Sequence, residues 1–268
     1  MRVAGSMILV VPLLLLIVGM SSTDEPATSL TDIVSATWAV ETDEGKASAT
    51  LFKSVKDGAW YAITAGHVVE RLKEVKEDVK DGQKVSRVVW KDVFLVQKIS
   101  ESIGEEEIEV GSIRLRAKVI DCSPSDEEDV ALLKLYALPF PCKGAAVAPA
   151  SLKIQTGLHV FHVGNLYGEL TASLTDGIVS AVGRVIDNTT YLQVTTPAVP
   201  GSSGGGVYAE HEGKWYYIGM IVRGSTESSN VNLAVPLSRI RKWLRSIGHA
   251  HVIGEVSESK KEGREEKK

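Results

Sequence analysis

Three segments of the sequence carry residues that could do chemistry. In Thr64-Ala65-Gly66-His67-Val68-Val69, a histidine follows an apolar run through a turn of small residues. An imidazole held at the end of a strand can take and return a proton near neutral pH. In Ser125-Asp126-Glu127-Glu128-Asp129-Val130-Ala131-Leu132-Leu133, an acidic turn enters an apolar run, and Asp129 occupies its first position. A carboxylate beside such residues is costly unless hydrogen-bonded, and an imidazole N–H can supply the bond. In Val199-Pro200-Gly201-Ser202-Ser203-Gly204-Gly205-Gly206-Val207, a serine stands among glycines. Their bare backbone can aim N–H groups at one point, where an oxyanion would form. Taken singly, each segment has an ordinary explanation: a satisfied histidine, a solvated acidic turn, a flexible loop. Read as a phosphate loop, the glycine run lacks the lysine and the spacing. Together, His67, Asp129 and Ser203 stand in the order His, Asp, Ser, each at the boundary of a predicted strand. That combination points to acyl transfer by an activated serine.

The elements that must position them are mostly short strands rich in Val, Ile, Thr, Tyr and Trp. They are expected at Trp38–Val40, Ala47–Lys53, Trp60–Thr64, Val88–Val96, Ile113–Ile120, Val130–Leu135, His159–Val163, Tyr191–Val194 and Trp215–Ile221. Turn signals such as Lys56-Asp57-Gly58 and Ile186-Asp187-Asn188 separate them. Two helices are expected: Val68–Lys80, from its alternating charges, and Pro236–Ile247, where Leu237, Ile240, Trp243, Leu244 and Ile247 recur at helical spacing. Many short strands and a terminal helix indicate an all-β fold of barrels or a sandwich. Glu101–Glu109, with five acids and no base, reads as a solvated loop.

The 30 Lys and Arg against 34 Asp and Glu give a net charge of -4, which argues against a nucleic-acid partner. Two cysteines, Cys122 and Cys142, cannot build a disulfide scaffold or a four-cysteine zinc site, and whether they pair is open. No metal or other cofactor is expected. Residues 1–22 contain Arg2 and an apolar stretch from Met7 to Met20, read as a signal peptide or alternatively a membrane anchor over residues 3–20. Either places the body outside the cytoplasm, secreted, periplasmic or anchored. Residues 255–268 carry five acids and five bases and read as a disordered tail. The folded domain is expected over 30–254.

Beyond the three segments, the sequence resembles the trypsin-like serine peptidases, and most closely the HtrA/Deg protease domain. The resemblance rests on His162-Val163-Gly164-Asn165-Leu166-Tyr167-Gly168, on Gly177-Ile178-Val179-Ser180-Ala181-Val182-Gly183-Arg184, and on Asn232-Leu233-Ala234-Val235-Pro236 leading into the last helix. It implies two six-stranded antiparallel β-barrels with a C-terminal helix and a triad in the cleft between them. Ser203 would be the nucleophile, His67 the base and Asp129 its orienter, with the Gly201 and Ser203 N–H groups as oxyanion hole. It also implies polypeptide substrates; self-assembly stays open. With few residues following the helix here, a protease domain without a PDZ domain is expected. Pro197, six residues before Ser203, is not the acid that would select Lys or Arg. Thr196, Val199, Met220, Ile221 and Val222 are the candidate pocket walls, for a small or medium apolar side chain. Gly206, where the family usually has Pro, and Ser202, where it commonly has Asn or Asp, suggest a site in need of activation. The competing readings are a non-catalytic peptide-binding module and a glutamyl-specific enzyme on the same fold.

Overall fold

The computed structural model describes residues 26–80, 83–103, 106–224 and 230–255. The apolar N-terminal stretch and residues 256–268 of the charged tail lie outside them. The described residues form fourteen strands: β1 Thr37–Thr42, β2 Gly45–Lys53, β3 Trp60–Thr64, β4 Lys73–Lys80, β5 Gln83–Trp90, β6 Val93–Ile103, β7 Glu106–Ser123, β8 Val130–Leu135, β9 His159–Leu166, β10 Leu170–Ile186, β11 Thr189–Val194, β12 Gly206–His211, β13 Lys214–Gly224 and β14 Asn232–Pro236. Helix α1 spans Leu30–Ser35 and α2 spans Leu237–Ser246.

Twelve strands close into two antiparallel rings. The first runs β1-β2-β3-β8-β7-β6 and closes where Val40 faces Leu95. The second runs β10-β11-β14-β13-β12-β9 and closes along β9, where Val160 faces Gly177. Closure removes the sheet edges that would otherwise recruit other strands. The two-residue turn between β10 and β11 places Asp187 and Asn188 at φ 50° and 62°, a conformation these residue types tolerate and tight hairpins need.

Alternation along β8 explains why its run is apolar on both faces. Ala131, Leu133 and Leu135 point into the first barrel with Trp38, Leu51 and Leu95, while Val130 and Leu132 join Ile63, Tyr61 and the core of the second barrel. Successive side chains of a strand face opposite ways, so a strand between two cores needs no polar face. Each fully buried leucine of this kind contributes roughly 1.5–3 kcal/mol. Strands β3 and β8 therefore lie against both barrels, and their ends open at the junction between them.

Several expectations need correction. The predicted helix over Val68–Lys80 is two short 3₁₀ turns, Gly66–Val68 and Glu70–Leu72, followed by β4 paired with β5 in a hairpin of its own. Val75 and Val79 fit that ladder, opposite Val88 and Lys84. The expected strand Val88–Val96 is divided at Lys91-Asp92 into the end of β5 and the start of β6. Of the expected loop Glu101–Glu109, residues 101–103 and 106–109 belong to the β6–β7 ribbon, where Lys98 Nζ meets Glu109 at 2.7 Å. Helix α1 was not expected. It is too short for periodicity to reveal, and its capping box joins Ser29 to Asp32. Ala27 is fully buried ahead of the expected start at Leu30, and Glu255, assigned to the tail, pairs with Arg245 at 2.7 Å. Helix α2 matches its expected span, burying Leu237, Ile240, Trp243 and Leu244. Among the described residues no helix is long and apolar enough to cross a membrane.

Candidate active site

His67 lies in the 3₁₀ turn that follows β3. Gly66 is what lets this turn reach the first-barrel wall: a Cβ there would fall 2.0 Å from the Ser123 carbonyl oxygen and 3.1 Å from the Val130 nitrogen. The close approach sets His67 beside Asp129. Asp129 stands immediately before β8 in a left-handed conformation, φ 51°, which Asp tolerates better than most residues. Its N–H donates to the Pro124 carbonyl at 3.1 Å. The preceding turn is fixed as well: Glu128 N–H donates to Ser123 Oγ, and Ser125 N–H donates to the Glu70 carboxylate. Glu128, expected in a solvated turn, takes a 2.7 Å bond from Arg239 Nε of α2.

The Asp129 carboxylate is 1% exposed and accepts from His67 throughout. Oδ1 takes the His67 backbone N–H at 2.9 Å and the ring Nδ1 at 3.0 Å, with Oδ2 at 3.1 Å from the same nitrogen. A carboxylate can only accept, so Nδ1 carries the proton. Nε2 is then the basic nitrogen, on the ring edge away from Asp129. His67, Gly201 and Ser203 line one cleft of about 200 Å³, together with Lys46 and Val68.

Ser203 sits on a turn whose peptide planes are fixed one after another. The Pro200 carbonyl accepts from Tyr167 N–H at 2.7 Å, the Gly201 carbonyl from Ser48 Oγ at 2.7 Å, and the Ser202 carbonyl from Gly205 N–H at 2.9 Å. In a trans peptide the N–H points opposite to the C=O. Inward carbonyls at Pro200 and Ser202 thus turn the Gly201 and Ser203 N–H groups the other way. The Ser202 N–H is taken by Val199 and that of Gly204 by Ile221, whereas those of Gly201 and Ser203 have no backbone acceptor among the described residues. The expected oxyanion donors are the two left available.

The glycine run is not loose. A Cβ at Gly204, φ 89°, would fall 1.9 Å from the Ser48 carbonyl oxygen; one at Gly205 would lie 2.5 Å from His162 Nε2, and one at Gly206 2.6 Å from the Tyr208 ring. All three glycines are buried, and Gly206 starts β12 paired with Met220 and Val163. Packing, not flexibility, explains this departure from the family pattern. Ser202, 1% exposed, turns its hydroxyl back to accept the Val199 N–H.

The candidate pocket walls have a different placement. Thr196, Met220, Ile221 and Val222 are between 0 and 4% exposed, and the last three belong to the second-barrel core; Val199 is half-buried. Ile221 reaches the nucleophile turn through its backbone, accepting from Gly204 and donating to Gly205. In this conformation four of the five side chains are buried and Val199 is half-exposed.

Sequence reasoning missed Ser48, Asn165, Tyr167 and His162 around the same turn. His162 is fully buried, and burial pushes its pKa down to about 4. Its Nδ1 lies 3.3 Å from Thr175 Oγ1, and its Nε2, beside the nucleophile turn, has no partner of normal geometry. No motif marks Ser48, whereas His162, Asn165 and Tyr167 stand in the His162–Gly168 segment that carried the family resemblance without being assigned a part in the site. Cys122 and Cys142 are both free thiols, and burial raises them to about 12 and about 11. They are therefore inert as nucleophiles near neutral pH.

Residues 47–220 match the model of the trypsin-like peptidase domain family. Two relatives named as DegP-like periplasmic serine endoproteases, from Pseudomonas fluorescens and Pseudomonas putida, are 35% and 36% identical over 97 residues, 35% of this chain. The chain covers 19% of the length of those relatives. Among solved structures, the HtrA-type protease AlgW with tripeptide superposes with a TM-score of 0.57 at 20% identity, over 81% of this chain and 62% of that one. Deg5 gives 0.53 at 19%, over 80% and 88%, and the serine endoprotease from Yersinia pestis gives 0.56 at 18%, over 83% and 68%. These likenesses agree with the two barrels, and the family match covers more than half of the chain, His67, Asp129, Gly201 and Ser203 included: the chain belongs to the trypsin-like peptidase domain family.

Proposed function

We propose that this protein is a serine endopeptidase that cleaves polypeptides through an acyl-enzyme intermediate. The observation that carries the reading is the fully engaged Asp129–His67 pair opening on the cleft that Ser203 lines. Ser203 Oγ attacks the scissile carbonyl while His67 Nε2 takes its proton and then delivers it to the leaving amine. Asp129 keeps the Nδ1–H tautomer and stabilises the imidazolium. The Gly201 and Ser203 N–H groups receive the oxyanion, a contribution of roughly 3–4 kcal/mol per donor. Water then releases the acyl group by the same route reversed.

Substrates are extended or unfolded chains, because a scissile bond must lie along an open cleft between the barrels. The names of the Pseudomonas relatives support a location outside the cytoplasm, in keeping with an export or anchor role for residues 1–22. The competing reading, a barrel pair that only binds peptides, is disfavoured by the two oxyanion N–H groups that are left available. The reading is tested by incubating the full chain with reduced, unfolded casein: wild type generates new peptide termini and Ser203→Ala does not. Equal cleavage by both would overturn it.

A further inference from the structure

Ser48, on β2 of the first barrel, is fully buried and makes polar contacts in four directions. Its N–H donates to the Ser203 carbonyl at 2.8 Å, and its own carbonyl accepts from Thr64 Oγ1 at 2.7 Å. Its hydroxyl donates to the Gly201 carbonyl at 2.7 Å and accepts from the Asn165 N–H at 2.7 Å and from Asn165 Nδ2 at 3.3 Å. Gly201 and Ser203 belong to the nucleophile turn of the second barrel. Asn165 is near the end of β9, where its Oδ1 in turn accepts from Ala172 N–H at 3.0 Å. Thr64 ends β3, three residues before His67.

The barrels divide the machinery between them: His67 and Asp129 come from the first, Ser203 from the second. Whatever holds the nucleophile turn to β2 therefore also sets the nucleophile against its base. Of the three consecutive carbonyls that shape the turn, those of Pro200 and Ser202 are held from within the second barrel, by Tyr167 and Gly205. That of Gly201 is held from the other barrel, by the Ser48 hydroxyl. Gly201 has φ 92°, and a Cβ there would fall 2.4 Å from the Asn165 carbonyl oxygen, so only this residue type permits the approach that Ser48 completes.

We infer that the Ser48 hydroxyl is a positioning residue for catalysis, clasping the Gly201 carbonyl across the barrel junction so that the oxyanion donors and Ser203 are registered on His67. It touches no substrate and acts through the turn. The inference rests on the peptidase reading and deepens it. Removing the hydroxyl leaves the Gly201 carbonyl and the Asn165 N–H without that partner, while the Ser48 N–H still holds Ser203. The fold survives and the turn gains freedom to tilt. A displacement near 1 Å at a reacting group costs about 100-fold in rate.

The test uses the full chain and a fluorophosphonate probe over a range of concentrations, separating the maximal labelling rate from the half-saturating concentration, alongside thermal unfolding. Ser48→Ala lowers the maximal rate at least about 10-fold, toward 100-fold, leaves half-saturation unchanged, and remains folded at the assay temperature. Ser48→Cys keeps the volume with a poor donor, so it gives the same loss if the alanine variant does not fold. Wild-type labelling kinetics in the folded Ser48→Ala or Ser48→Cys protein would overturn the clasp and leave the peptidase reading standing. A change confined to half-saturation would overturn it too. A folded wild-type chain that does not label at all would overturn the peptidase reading, and the clasp with it.

Discussion

Asp129 holds His67 twice over: Oδ1 accepts the backbone N–H at 2.9 Å, and both carboxylate oxygens lie within 3.1 Å of Nδ1. The backbone bond fixes where the ring stands, and the Nδ1 bonds fix which nitrogen is basic. Asn tolerates the left-handed φ of 51° at least as well as Asp, so Asp129→Asn separates charge and tautomer from fold. It lowers the rate of fluorophosphonate labelling by about 10³- to 10⁴-fold, while the melting temperature moves by only a few degrees. Labelling within 10-fold of wild type would show that the carboxylate does not serve the base.

The glycines of the nucleophile turn have a steric role that a surface glycine such as Gly183 lacks. Gly204→Ala places a methyl 1.9 Å from the Ser48 carbonyl oxygen at a φ of 89°, and backbone must move to relieve it. The substitution costs more than about 4 kcal/mol and abolishes labelling. Gly183 also has a positive φ, 72°, but a Cβ there meets nothing within 4 Å. Gly183→Ala therefore costs only about 1–2 kcal/mol of left-handed strain and labels normally. Chemical denaturation of the pair checks the contrast, and equal losses would contradict it.

His162 titrates against folding. Its pKa is about 4 in the folded protein because burial disfavours the cation, against about 6.5 for an exposed histidine. The unfolded chain binds the extra proton first as pH falls. The stability contributed by neutral His162 is thus complete above pH 6.5 and is lost progressively toward pH 4, by roughly 3 kcal/mol. His162→Phe removes this part of the acid slope. His251, whose pKa burial also lowers, keeps its share in both proteins. Unfolding free energies measured from pH 7 to pH 4 give the comparison, and parallel curves would contradict the assignment.

How much of this could be read from the sequence differs from element to element. The triad segments were legible because Gly66, Asp129 and the glycine run mark abrupt turns at strand ends, and turns have residue signatures. The ends of β3 and β8 fell at their expected residues, Trp60–Thr64 and Val130–Leu135, because runs buried on both faces stop sharply at their loops. The β4–β5 hairpin was missed because Lys, Glu and Asp at alternating positions imitate an exposed helix when strand pairing is unknown. Ser48 was invisible for another reason. Its importance lies in neighbours more than a hundred residues away, and nothing local distinguishes it. The pocket candidates on β13, Met220, Ile221 and Val222, looked like a lining and are buried in the second-barrel core in this conformation.

Arg239 joins the terminal helix to the turn that precedes Asp129. Its Nε reaches Glu128 at 2.7 Å, and its other nitrogens donate to the carbonyls of Glu127 and Thr190 at 3.0 Å. The Arg239 side chain is only 14% exposed. Arg239→Ala therefore costs about 1–3 kcal/mol. Labelling slows by less than about 10-fold, a ceiling of about 1.4 kcal/mol on the barrier, because Asp129 keeps its own bonds to Pro124 and His67. Denaturant midpoints and labelling rates measured together check this. A larger loss of labelling than of stability would mean that the helix positions the carboxylate directly.

The central claim is that Ser203 is a nucleophile made reactive by His67 and by the backbone around it. The most direct measurement is to treat the folded full-length chain with a fluorophosphonate and locate the adduct by peptide mass spectrometry. The account predicts one phosphonylated residue, Ser203, with the adduct absent from Ser203→Ala and strongly diminished in His67→Ala. An unmodified chain, or an adduct on another serine such as Ser202, would contradict it.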